Sequence, residues 1–198
     1  MTSAGSEPVS GHRGNQPRQY LLTRDGWAAL PEGRTEVVAG VLVPSPRPMW
    51  FHLRSVTRLA FLLDEQLCPE MSAGAEAELL LCETPLTIRV PDVVVTSAEV
   101  AEANPARIEA ADAELVIEVL SPGTKHVDQG AKLFEYADAG IEHYWIVDVD
   151  PPVSMIAYRL IGGDYENFGE YSGSVELEIA GAPVKLDLNA LIDPRAQR

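Results

Sequence analysis

The run Glu114-Leu115-Val116-Ile117-Glu118-Val119-Leu120 constrains this chain more than any other stretch. It is nearly continuous in apolar residues, the pattern of a strand covered on both faces at the centre of a sheet. Ser121-Pro122-Gly123-Thr124 breaks it. Asp128 to Ala139 then follows a helical period, with Gly140 at the position after the C-cap. His143 to Asp148 returns as a strand, ended by Pro151-Pro152. Together these predict one β-α-β unit with a right-handed crossover.

The flanking segments extend this unit. Asp25 to Leu30, capped by Thr23, suits a short helix. Glu36 to Val38 and Val41 to Val43 flank Ala39-Gly40, a hairpin signal. Met49 to Leu67 reads as a long helix, with Phe51, Val56, Leu59, Leu62 and Leu63 near the 3.6 period and Pro69 as its stop. Leu79 to Leu81, Leu86 to Val90 and Val93 to Val95 are strand-sized runs, and residues 97–112 form an acidic, alanine-rich connector. Met155 to Leu160, Tyr165 to Tyr171 and Val175 to Ile179 predict a C-terminal β-meander. The expected class is α/β or α+β, with a mixed sheet and flanking helices. Residues 1–19 lack apolar periodicity and read as a flexible tail, leaving 20–198 as one domain.

Charge narrows the function. Fifteen Lys plus Arg against 30 Asp plus Glu give −15, which disfavours a basic nucleic-acid coat or a binder of anionic membranes. The charge is uneven. Asp64 to Glu118 carries 13 acids and two bases, whereas Arg34 to Arg58 carries four bases (Arg34, Arg47, Arg54, Arg58) and the single acid Glu36. Arg54 and Arg58, four apart, fall on one helical face. No apolar run reaches the roughly 18 residues of a membrane span, and no charged start precedes an apolar stretch as in a secretory signal. Cys68 and Cys82 show no metal-binding spacing and read as reduced thiols of a cytoplasmic protein.

Glu118 is the most informative residue. An ionised carboxylate inside an apolar strand is expensive unless paired or metal-bound. One reading is a structural ion pair with Lys125 or Lys132. The other joins it to Asp92, which follows Pro91 and opens Val93-Val94-Val95. Two carboxylates converging from adjacent strands offer hard oxygen ligands suited to Mg²⁺ or Mn²⁺. A nearby lysine orients or deprotonates an attacking water and offsets phosphate charge, which suits phosphodiester hydrolysis. Ser121 lacks a nucleophile elbow around it, and His126 and His143 lack metal-ligand spacing to Cys or another His; all three read as structural.

The pattern Pro91-Asp92 followed by Glu118-Val119-Leu120 resembles the PD-(D/E)xK nucleases, the restriction-endonuclease-like fold. The usual lysine two residues after the acid is absent, because position 120 is Leu. Over roughly residues 20–190 the chain looks like the Uma-two family of endonucleases, long catalogued as a domain of unknown function. The similarity rests on Glu36 to Gly40, Pro91 to Val95, Ile117 to Pro122, Asp128 to Leu133 and Tyr136 to Asp148. The resemblance implies a restriction-endonuclease-like core and a lysine migrated from strand to helix, at Lys132. Asp128, Lys132 and Tyr136 share the corresponding stripe, with Lys125 as the competing lysine. It also implies that Glu36 and His52 stand near the pocket.

The expected activity is Mg²⁺- or Mn²⁺-dependent cleavage of DNA by Asp92, Glu118 and Lys132. Arg47, Arg54 and Arg58 would contact phosphate, and a homodimer would cut both strands. The competing reading is a non-catalytic nuclease-like module for protein interaction or regulation; hydrolysis of a smaller phosphoester is a third.

Overall fold

A computed structural model describes residues 21–29, 35–45, 47–120 and 128–193. The expected tail at 1–19, the turn at 121–124, Lys125 and His126 lie outside the described residues. The described elements run α1 (Arg24–Ala28), β1 (Thr35–Val38), β2 (Val41–Pro44), α2 (Trp50–Asp64), β3 (Met71–Ala75), β4 (Leu79–Glu83), β5 (Leu86–Arg89) and β6 (Val93–Ser97). They continue with α3 (Ala98–Glu102), β7 (Ile108–Glu109), β8 (Ala113–Leu120), α4 (Asp128–Asp138), β9 (His143–Asp148), β10 (Ser154–Ile161), β11 (Asp164–Ser172), β12 (Ser174–Ile179) and β13 (Ala182–Asp187). Among the described residues, no helix is long and apolar enough to cross a membrane.

The strands form a six-stranded sheet in the order β11-β10-β9-β8-β6-β3, a five-stranded sheet in the order β2-β1-β5-β4-β7, and a separate β12-β13 hairpin. β8 lies inside the larger sheet, antiparallel to β6 and parallel to β9, as its apolar sequence requires. Its side chains alternate between two cores. Leu115, Ile117 and Val119 face a cluster containing Val56, Leu59 and Leu63 of α2 with Trp145, Met155 and the β12-β13 hairpin. Val116 faces the opposite cluster, with Tyr136 of α4, Ile141 and Tyr144. The period of two therefore puts Glu118 on the α4 side.

α4 ends as its sequence demands. Gly140 takes φ +82°, Ile141 N–H donates to the Tyr136 carbonyl at 3.2 Å and Gly140 N–H to the Ala137 carbonyl at 2.9 Å. This is the Schellman pairing, which turns the chain directly into β9.

Three regions depart from the sequence reading. The connector at 97–112 contains α3, capped by the Ser97 hydroxyl, and the short strand β7, which pairs with β4. β3 carries Ser72, Ala73 and Gly74, too small to mark a strand, and is held by pairing with β6. The C-terminal strands are not one meander. β10 and β11 extend the main sheet, whereas β12 pairs only with the unanticipated β13.

Candidate active site

β6 and β8 pair with Val93 opposite Ile117 and Val94 opposite Val116. Continuing that antiparallel register by one residue places Asp92 opposite Glu118. Asp92 is pinned where the two strands end. Its Oδ2 accepts from Val119 N–H at 2.7 Å and its Oδ1 lies 3.1 Å from His52 Nε2. His52 Nδ1 lies 3.0 Å from the Val119 carbonyl. A carbonyl only accepts, so Nδ1 carries hydrogen, and the Asp92 contact is charge-assisted when the ring is protonated on both nitrogens. α2 thereby delivers a buried histidine onto one carboxylate from the core side.

Glu118 is gripped from the other side by α4. Lys132 Nζ donates to its Oε2 at 2.9 Å and Tyr136 OH to its Oε1 at 2.8 Å. Lys132 and Tyr136 are four apart, so one helical stripe supplies both donors. Lys132 Nζ also lies 3.6 Å from Glu36 Oε1. Glu36, on β1, accepts from Val90 N–H at 3.1 Å and from Arg89 Nη1 at 2.8 Å. Arg89 in turn forks onto Glu135 of α4, through Nε at 2.6 Å and Nη2 at 3.0 Å.

The two acids bracketing Lys132 differ in electrostatics. Burial pushes Glu36 up, but Lys132, the Val90 N–H and Arg89 together hold it below the ordinary carboxylate value. Burial raises Glu118 more than Lys132 lowers it. The charge of Asp92 adds to the rise, and the Glu118 carboxyl reaches about 7. Tyr136 is pushed well above the usual phenol value by burial and by Glu118, so it remains a neutral donor. The pocket thus contains one firmly ionised acid, one acid that carries excess negative charge at a cost, and a lysine between them.

Of the residues expected from sequence, Asp92, Glu118, Lys132, Glu36 and His52 are brought together. Arg54 and Arg58 are not. At 100° per residue, Arg54 and Arg58 stand roughly 200° and 240° round α2 from His52. Both are half-buried, and Arg54 Nη2 donates to the Asp193 carbonyl at 2.9 Å. Arg47 is exposed. Sequence reasoning missed Arg89. The signal was present, since Arg89 interrupts the apolar run Leu86 to Val90 as Glu118 interrupts β8.

The chain is an α+β protein built on a mixed sheet, with Asp92 and Glu118 at facing positions of the β6–β8 pairing and Lys132 of α4 against Glu118. The fold is similar to that of a crystal structure from Anabaena variabilis ATCC 29413 described as "a putative nuclease belonging to DUF820". The TM-score is 0.66 at 21% identity, over 86% of this chain and 97% of that one. Residues 20–190 match the Uma2 family, described as "Putative restriction endonuclease", and the chain belongs to that family. No curated protein matches the sequence.

Proposed function

We propose that the chain is a Mg²⁺- or Mn²⁺-dependent DNA endonuclease whose reaction centre is the Asp92, Glu118 and Lys132 pocket. The observation that carries this reading is geometric: the β6–β8 register sets Asp92 opposite Glu118, and Lys132 Nζ lies 2.9 Å from the carboxylate of Glu118. The Glu118 carboxyl is forced up to about 7 by burial and by Asp92 although Lys132 already touches it. A dication relieves this cost better than a single ammonium, and two carboxylates are the hard oxygen donors that Mg²⁺ and Mn²⁺ prefer. The residues fit the ion, with Asp92 and Glu118 as its protein ligands. Such an ion supplies Lewis-acid polarisation of the phosphodiester and a more acidic bound water.

The remaining roles belong to the chain. His52 and the Val119 N–H fix the Asp92 carboxylate, while Tyr136 fixes that of Glu118. Glu36 helps hold Lys132 close to Glu118, ready to orient a water or donate to a phosphate oxygen. Arg47 is the phosphate contact we assign; Arg54 is engaged with the C-terminal segment. Assembly as a homodimer would present two such pockets to a duplex. The free Cys68 and Cys82 suit a reducing compartment such as the cytoplasm.

One observation favours a second reading. Lys132 and Tyr136 already supply a donor to each Glu118 oxygen, as in a structural ion pair of a non-catalytic module. Metal titration followed by a nicking assay on supercoiled plasmid separates the two. The nuclease reading expects Mn²⁺ to bind and nicking to follow; metal binding without nicking selects the non-catalytic module.

A further inference from the structure

At the opposite end of β8 and β9 lies a second polar cluster, four residues or about 13 Å back along β8 from Glu118. Because β8 and β9 are parallel, with Leu115 opposite His143, both strands begin there. Glu114 comes from the start of β8; Glu142 and His143 come from the start of β9. One ligand atom from each lies within 4.8 Å of the others. His143 Nε2 is 3.6 Å from Glu142 Oε1 and 3.9 Å from Glu114 Oε1.

The geometry points to a site for a divalent transition-metal ion of the zinc class, held by Glu114, Glu142 and His143 and separate from the Asp92 and Glu118 pocket. Ligands about 2.1 Å from a tetrahedral ion stand about 3.4 Å apart, so the two His143 separations need close by only a few tenths of an ångström. Direct hydrogen bonding does not account for the position of His143. Both His143 contacts are too long for one, and among the described residues the ring makes no hydrogen bond although only 12% of it is exposed.

The surroundings are those of a cation site. The three residues border a cavity of about 200 Å³ that Glu178 of β12 also lines. Three carboxylates against the one guanidinium of Arg159 leave this cavity with a net charge of −2. Arg159 Nη2 holds Glu142 Oε1 at 2.8 Å, the outer hydrogen bond that typically orients a ligating carboxylate. An imidazole nitrogen beside carboxylates favours Zn²⁺ or Co²⁺ over Ca²⁺ or Mg²⁺.

The test uses untagged, metal-stripped full-length protein titrated with Co²⁺, read by visible d–d absorption, with Zn²⁺ as competitor. Wild type and Glu118→Gln should both develop the bands of a nitrogen- and oxygen-ligated ion, displaced by Zn²⁺. Glu142→Gln and His143→Gln should weaken binding on the order of 100-fold, the upper end of effects seen around metal sites. Glu142 is half exposed, so its variant carries the test if His143→Gln misfolds. Absence of bands in wild type and Glu118→Gln, or bands unchanged in both Glu142→Gln and His143→Gln, overturns the assignment. Because no cleavage is measured, loss of the nuclease reading leaves this result untouched.

Discussion

Glu118 is where the residue-scale argument is most exposed to measurement. Its folded value of about 7 lies above the 4.5 of an ordinary carboxyl. Between those values the folded state holds a proton that the unfolded state has released, so this group stabilises the metal-free fold below about 4.5 and loses that contribution as pH rises to 7. Glu118→Gln removes the titration. Its denaturant midpoint should therefore fall less than that of wild type as pH rises through this window, and parallel profiles would show that Glu118 does not titrate there. Lys132 gives a second residue-scale outcome. Lys132→Met should lower cleavage by about 10²-fold or more while Mn²⁺ still binds, because the amine acts on water and phosphate; calorimetry and a nicking assay on the same samples check both halves. Sequence made Asp92, Glu118 and Lys132 visible because charges in apolar runs, or on one helical stripe with an aromatic, need a reason. It could not rank Glu36 and His52, since their importance lies in Arg89, Val90 and Asp92, contacts that exist only after folding.

Among the elements, α4 does the most positioning. One face gives Lys132 and Tyr136 to Glu118, and Glu135 reaches Arg89 on β5. Arg89 thereby ties β1, β5 and α4 together. Arg89→Ala should destabilise the protein by about 3 kcal/mol, the low end of the cost of breaking a buried ion pair, since Val90 N–H and Lys132 still serve Glu36. Chemical denaturation measures this, and a change below about 1 kcal/mol would reduce the network to surface pairing. The elements legible in sequence were those with a strong period or punctuation: β8 by its apolar run, α4 by its stripe and Gly140, and the Ala39-Gly40 hairpin. Those missed had neither. β3 is built from small residues and β7 has two, so both exist because a neighbour offers hydrogen bonds.

The molecule as a whole carries −15, and this shapes how nucleic acid would approach it. Long-range repulsion keeps non-specific DNA affinity low, so the few available cations matter more. If Arg47 is a phosphate contact, Arg47→Ala should reduce the slope of log affinity against log salt by about 0.9. Fluorescence anisotropy at several salt concentrations measures the slope, and an unchanged value removes Arg47 from the interface. Arg54→Ala should act instead on stability, through the lost bond to the Asp193 carbonyl. The charge imbalance was plain in the sequence, but its geometry was not. Arg54 and Arg58 share one face of α2, and only the packing of His52 against Asp92 shows that this face turns away from the pocket.

The most direct test of the central claim is the cleavage rate of supercoiled plasmid by metal-stripped protein given Mg²⁺ or Mn²⁺, with wild type beside Glu118→Gln and Asp92→Asn. Wild type should nick the plasmid only when the metal is supplied. Both variants should be folded by circular dichroism and slower by about 10³-fold or more, as expected when a group acting directly at the reaction centre is removed. Nicking by either variant at the wild-type rate, or no nicking by folded wild type with either metal, would contradict the assignment of phosphodiester hydrolysis to this pocket.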